Sequence, residues 1–259
     1  MRQKVAGNRE HAMSHPEQIG FFTAVVDANK ALIDGASVLE IGSYDVNGSV
    51  RNVFATAKHY VGVDLDEGPG VDLVGFGQEV DHPDASYDMT VSGECFEHDP
   101  HWRETFSNMV RMTRPGGLVA FSCASRGRIE HGTVRSDKTL SPGTQAIGLD
   151  YYRNLNARDF QEGLPLDAMF SEFRFWYLPT HFDLYFAGIK VGDPGGRISA
   201  QLPDDVVVNG LRSVMPLPHK AVRFPLRLLS RFLPESLYQS AVLPYWKILL
   251  RLAPGSQRR

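Results

Sequence analysis

The stretch SVLEIGSYDVNGS at residues 37–49, followed by HYVGVDL at 59–65, decides the fold. Val38, Leu39 and Ile41 form a short apolar run with Gly42 just beyond it, the pattern of a buried parallel strand that ends in a turn. Glu40 lies at the end of that strand, and Gly42 and Gly48 bracket a loop that must pass close to something. A second apolar run, Tyr60, Val61 and Val63, ends in the carboxylate of Asp64. Strand, glycine loop and a second strand closed by an acid make the ribose-binding half of a nucleotide site, in which the glycines admit the ligand and the carboxylate takes two ribose hydroxyls. Tyr44 and Val46 stand where a GxGxxG loop has glycine. No pyrophosphate cradle is indicated, which favours a nucleoside cofactor without phosphates.

Outward from this core, the pattern predicts strands at about 37–42, 59–64, 71–74, 87–92 and 117–123 with helices between them. Such alternation gives right-handed βα crossovers and a parallel sheet covered on both faces. Ser14 or His15 before Pro16, then Ile19, Phe21, Phe22, Val25 and Val26, predicts a helix that packs across the sheet edge or caps the cleft. Arg114-Pro115-Gly116-Gly117 is expected to end the crossover helix ahead of the fifth strand. Residues 126–150, rich in Gly, Ser, Thr and charge, are the length of a lid or substrate loop. Asn156 and Asp159 have the spacing of a helix cap, and 173–177 with 182–191 predict a final strand pair. Leu202-Pro203-Asp204-Asp205 is expected to be a linker. Beyond it lie short basic amphipathic stretches chopped by Pro225, Pro234 and Pro244.

The chain has 259 residues, enough for one full core with appendages. At 42% hydrophobic and 22% charged it has the composition of a soluble globular protein. Its formal net charge is −3, but from residue 217 onward eight basic residues face the single acid Glu235, so the body before it is acidic. An acidic body argues against a nucleic-acid partner, since phosphate contacts need a basic surface. Cys95 and Cys123 make neither a disulfide framework nor a zinc site and are expected as small buried thiols. With no apolar signal stretch and no run long enough to span a bilayer, a cytoplasmic protein is expected.

The 37–49 run resembles motif I of class I S-adenosylmethionine-dependent methyltransferases, with Asp64 at the cofactor-ribose position. ASYDMTVSGECFEHDPHW at 85–102 resembles the fourth-strand motif of that family, and MVRMTRPGGLVAFSCAS at 109–125 the helix, turn and fifth strand that follow. The resemblance implies a Rossmann-like, doubly wound seven-stranded α/β sheet, mostly parallel with an antiparallel last strand, plus a C-terminal helical appendage. The expected divisions are a helical cap at 1–30, the methyltransferase domain at 31–200 with its lid at 126–165, and the basic extension at 201–259. S-adenosylmethionine is the implied cofactor. Asp64 would hold its ribose, with Leu65 beside it as a further cofactor contact, Glu40 would anchor its methionine end, and Gly42, Ser43 and Gly48 would lie along it. Gly77 and Gln78 would read the adenine edge, with Ser92 and Glu94 flanking the other side.

An alcohol is a weak nucleophile at neutral pH, so O-methylation calls for a base or a metal just after strand four or five, or in the lid. His98 and Glu97, in the Glu94–Asp99 cluster, and His131 in the later loop are the candidate catalytic residues; an unperturbed imidazole suits a general base. Each has a plainer reading, His98 as a loop tie and His131 as a surface residue. Glu97, Asp99 and His131 show no recognisable metal-ligand spacing, and no metal is expected. His11, His15 and His101 are expected exposed or capping, although His15 could close over the cleft and counts as a candidate substrate contact. Tyr151, Tyr152 and Arg153 offer aromatic faces and a guanidinium for a sugar ring. The Ser14–Gln18 and Asp150–Leu155 patterns resemble methyltransferases of bacterial surface-polysaccharide and glycolipid synthesis, which implies a sugar or glycolipid acceptor. Rival readings are a methyltransferase of a polyketide, quinone or phenol, and a non-catalytic cofactor- or partner-binding subunit. The basic tail suits either the inner membrane face or packing on the domain or a sister subunit in a homodimer.

Overall fold

The computed structural model describes residues 15–46 and 48–252. Ser14, His11, Arg258 and Arg259 lie outside them. Two short helices, α1 (Pro16–Ala28) and α2 (Lys30–Ile33), precede the strands β1 (Ser37–Ile41), β2 (His59–Asp64), β3 (Leu73–Val74) and β4 (Tyr87–Gly93). Helix α3 (Trp102–Met112) leads into β5 (Thr113–Ala124). Then come α4 (Pro142–Ala146), α5 (Ala157–Gly163), α6 (Leu166–Met169) and the pair β6 (Phe170–Leu178) and β7 (Asp183–Lys190). Helices α7 (Asp205–Gly210), α8 (Leu217–Phe232) and α9 (Glu235–Leu252) end the described chain.

The seven strands form one sheet in the order β3-β2-β1-β4-β5-β7-β6. The β1–β2, β1–β4, β2–β3 and β4–β5 pairs are parallel, while β7 runs antiparallel to both β5 and β6. This is the expected Rossmann-like sheet. The order in which strands are added reverses at β1 and β4, and the connections leaving them on opposite sides open a crevice beyond their carboxyl ends.

Alternate residues of each central strand feed opposite layers. Val38, Met89, Leu118 and Ala120 face a layer with Phe21, Phe22 and Val25 of α1, together with Trp176 and Tyr185. Leu39, Val63, Val119 and Phe121 face Phe106 of α3, Phe160 of α5, Phe96 and Phe186. Phe21 and Phe22 are fully buried, worth about 1.5–3 kcal/mol each by area, so α1 is a wall of the core and not a loose cap.

Several expectations need correction. Among the described residues, the β1–β2 connection holds only a 3-10 turn (Val50–Phe54) where a helix was expected; α1 supplies that side of the sheet instead. Arg114 does not cap a helix. Helix α3 ends at Met112, and Arg114 is the second residue of β5, donating from Nε to Asp88 at 2.7 Å while Arg197 reaches the same carboxylate at 3.0 Å. The 202–205 segment is tied down. Asn29 exchanges two hydrogen bonds with the Gln201 backbone, and Asp204 caps α7 by accepting the N–H groups of Val206 and Val207. Pro225 and Pro244 lie inside α8 and α9, so only Pro234 separates the two helices. Proline removes one backbone donor and can be carried within a helix that packing holds in place.

A third apolar cluster, Ile129, Phe182, Leu226, Tyr238, Val242 and Leu243, fastens α8 and α9 to the segment after β5. Tyr238 donates to the Gly127 carbonyl at 2.6 Å, and Gln239 accepts from the Glu130 N–H at 2.9 Å while donating to the Arg128 carbonyl at 2.8 Å. The C-terminal helices therefore set the course of residues 127–131.

Candidate active site

The crevice between β1 and β4 opens into a cleft of about 950 Å³, its open mouth included. Glu40, Gly42, Ser43, Gly48, Asp64, Leu65, Gly77, Gln78 and Glu94 all line it. Ser92 does not: it lies buried beneath the lining. Gly42 has φ +81°, and a Cβ there would stand 2.5 Å from Cys95 Cβ, so the β1 turn admits no side chain.

Asp64 is fixed at the end of β2 by two amides. Its Oδ2 accepts the Tyr44 N–H at 2.9 Å and its Oδ1 the Leu65 N–H at 2.7 Å. Burial pushes its carboxyl up and these amides pull it back. Glu40 is more deeply held; burial raises its pKa to about 8, against a 2.8 Å bond from the Tyr60 hydroxyl. Over the cleft lies the loop after β5, contributing Leu140, Ser141, Pro142, Gly143, Thr144 and Leu149. A Cβ on Gly143 would come within 2.5 Å of Asp64 Oδ1, so the loop backbone rests directly on that carboxylate.

Behind the cleft is a buried cluster of polar side chains in two parts. In the first, His98, Glu97 and His131 come together: His131 Nε2 is 3.9 Å from Glu97 Oε1, and the two imidazole centroids are 5.0 Å apart. The Tyr152 ring packs edge-on against both histidines, at 5.4 and 5.0 Å. His98 also lines the cleft, so the group adjoins the cofactor space. Both Glu97 oxygens, both His98 ring nitrogens and His131 Nε2 are buried without a hydrogen-bond partner. Burial lowers His98 to about 4 and holds His131 well below the ordinary histidine range, so both rings are neutral at pH 7. Glu97 is pushed up, by burial first and then by the Glu94 charge.

The second part was not foreseen. His15 is buried and caps α1, one of its two expected roles, and it is also drawn into this cluster. Its Nδ1 accepts the Gln18 N–H at 3.3 Å, its Nε2 lies 2.5 Å from Asp183 Oδ2, and its ring stacks on His181 at 4.0 Å. His181 in turn sits 3.1 Å from buried Glu17. Arg128 bridges the parts, 3.3 Å from Asp183 and 3.7 Å from Glu94. Glu94 projects from a left-handed backbone (φ +53°), a strained position for a residue other than glycine, and burial raises it to about 7.

Arg153 is not brought to this cluster. Its guanidinium pairs with Asp159 at 2.6 Å and lines a separate cavity against the α8–α9 connection. Tyr151 is partly exposed and lines neither cavity, and His101 is exposed at the start of α3. Sequence reading missed Gln18 of the cleft, and Glu17, His181, Asp183 and Arg128 of the polar cluster behind it. Only the run of charged and polar residues around His15 hinted at them.

A methyltransferase-domain family model matches residues 18–185. No curated protein matches the sequence. Among solved structures, phosphoethanolamine N-methyltransferase 2 of Haemonchus contortus in complex with S-adenosylmethionine is similar at 16% identity and a TM-score of 0.50, over 72% of this chain and 55% of that one. The 1,6-didemethyltoxoflavin N1-methyltransferase of Burkholderia thailandensis, with bound 1,6-didemethyltoxoflavin and S-adenosylhomocysteine, is similar at 20% identity and a TM-score of 0.47, over 68% and 80%. At these identities the likeness is one of fold.

Proposed function

Because this chain belongs to the methyltransferase-domain family, with S-adenosylmethionine as cofactor, we propose that it methylates a sugar hydroxyl of a polysaccharide or glycolipid. The observation that carries the reading is the Glu97–His98–His131 group: two neutral imidazoles beside a buried carboxyl group, with ring nitrogens and carboxyl oxygens that make no hydrogen bond, adjoining the cleft through His98. A hydroxyl acceptor needs such a group, because its proton must leave as the oxygen attacks.

The cleft fits the cofactor on its own chemistry. Asp64 is pinned to receive ribose hydroxyls, Glu40 is a buried carboxyl for the methionine ammonium, and no phosphate cradle competes. Leu65, Gly77 and Gln78 would take the adenine, and Gly42, Ser43 and Gly48 the chain between, with Ser92 supporting from below and Glu94 closing the far side. When bound, S-adenosylmethionine supplies an electrophilic methyl on a sulfonium. The protein aligns the acceptor oxygen with it, the loop at 140–149 covering the cleft. His131 accepts the hydroxyl proton through Nε2, with His98 and Glu97 beside it and Tyr152 fixing both rings. His15, held by Asp183, which Arg128 also contacts, backs the same polar cluster.

A membrane-borne acceptor suits the tail. On α8 the exposed side chains Leu217, Phe224, Leu228 and Phe232 fall on one stripe, opposite buried Leu226, and Lys220, Arg227 and Arg231 flank it. An apolar stripe edged with cations is built to lie on an anionic bilayer. No described helix is long and apolar enough to cross a membrane.

The test is transfer of labelled methyl from S-adenosylmethionine to bacterial envelope glycans and glycolipids, followed by acid hydrolysis. Label in O-methyl sugars, reduced about 100-fold or more by His131→Ala, is the expected result. Label confined to small phenolic or quinone metabolites would overturn the acceptor assignment.

A further inference from the structure

We infer that Glu97, His98 and His131 form a binding site for one divalent transition-metal cation at the inner wall of the cofactor cleft. The three residues each offer a ligand atom, all within 4.8 Å of one another. Unpartnered buried polar atoms are rare in folded proteins, and here five of them, on three adjoining side chains, are of metal-ligating type.

The His131 tautomer supports the assignment. Its Nδ1 is 3.1 Å from the Ile129 carbonyl, to which it donates, leaving the lone pair on Nε2, the atom nearest Glu97. Metal-bound histidines are held in this way, with the second ring nitrogen donating to a carbonyl or carboxylate. That carbonyl belongs to the segment that α9 fixes through Tyr238 and Gln239, so the ligand is presented by a rigid support.

Two further groups of ligand type share His15: one with Glu17 and His181, the other with Glu94 and Asp183. His15 Nε2, His181 Nδ1 and the Glu17 and Glu94 oxygens likewise make no hydrogen bond, but close ion pairs draw on them. His15 Nδ1 accepts from Gln18, its Nε2 meets Asp183, Arg128 lies against Asp183 and Glu94, and Glu17 faces His181. In the Glu94 and Asp183 group the Arg128 guanidinium lies against both carboxylates, so a cation there would face a positive charge.

Two imidazoles and one carboxylate suit zinc, iron, manganese or cobalt, whereas magnesium and calcium prefer all-oxygen sets. Three protein ligands leave positions open, as in catalytic sites. The cation's role rests on the acceptor reading above; its binding does not. An acceptor hydroxyl beside a cation loses its proton more readily, and the cation then takes over the part given to His131. The O–H bond breaks with its proton passing to water. The oxygen's electron pair forms the C–O bond as the C–S bond breaks, its pair remaining on sulfur.

The experiment is calorimetric titration of Zn²⁺ into the chelator-treated full chain, alongside His98→Asn, His131→Asn and His181→Asn. S-adenosylhomocysteine binding is measured separately on each. About one equivalent of Zn²⁺ is expected, weakened about tenfold or more in the first two variants and unchanged in the third. No Zn²⁺ uptake by the unaltered chain, or equal uptake by all four proteins, would overturn the proposal. Pulsed electron paramagnetic resonance of the Mn²⁺-loaded unaltered chain decides the matter even where a variant does not fold: imidazole nitrogen coupling supports the site, and its absence refutes it. Loss of S-adenosylhomocysteine binding with cation uptake intact would count against the cofactor assignment alone.

Discussion

At the scale of single residues, Glu40 makes the most specific claim. Burial holds it near 8, so at pH 7 it is largely protonated in the ligand-free protein. An ammonium group placed beside it favours the carboxylate, and the proton must leave. Binding of S-adenosylhomocysteine at pH 7 should therefore release up to about one proton, measured from the dependence of calorimetric heat on buffer ionisation. Glu40→Gln should abolish the release; identical heats in all buffers for the unaltered chain would remove Glu40 from the ammonium site. The same raised pKa sets a stability trend. For an acid whose folded pKa lies above its unfolded one, stability is lost as pH rises from the ordinary carboxyl range through about 8. His15 and His181, lowered to about 4 mainly by burial, act the opposite way, costing stability as pH falls from about 6.5 through 4.

Among the elements, α8 carries a separable claim. Phe224 and Phe232 are 62% and 77% exposed on its outer stripe. Replacing both by serine should leave the melting temperature within a few degrees, because neither packs on the core, and should cut co-sedimentation with phosphatidylglycerol vesicles several-fold. Unaltered sedimentation, or none by the parent chain, would return the stripe to another partner. The strands were legible because their apolar, β-branched runs are local: β2 falls on residues 59–64 as expected, and β4 runs on to Gly93. The helical elements were less so. Proline marks a break in sequence, yet α8 and α9 run through Pro225 and Pro244 because tertiary packing holds them. Arg114 has the composition of a helix end, but a buried carboxylate from another strand, Asp88, claims its guanidinium.

For the molecule as a whole, the fold gathers its chemistry at one place. The sheet order puts the ends of β1, β2 and β4 around a cleft, the loop after β5 covers it, and β7 and α1 bring Asp183, His15 and Glu17 to its back wall. Asp64 and Glu40 were legible because a strand-end acid beside a glycine turn is a local pattern. His181 and Arg128 were not, since their meaning depends on partners from distant strands and helices. The meeting of Glu97 and His98 with His131 likewise depends on α9, more than a hundred residues later, holding the 127–131 segment in place. All of this presumes that the cleft takes the cofactor by its ribose at Asp64. The direct measurement is calorimetric titration of S-adenosylhomocysteine into the full chain and into Asp64→Ala. Micromolar binding that weakens about tenfold or more in the variant is the predicted result, since two hydrogen bonds to a carboxylate are lost. No binding to the unaltered chain, or equal binding to both, would contradict the account.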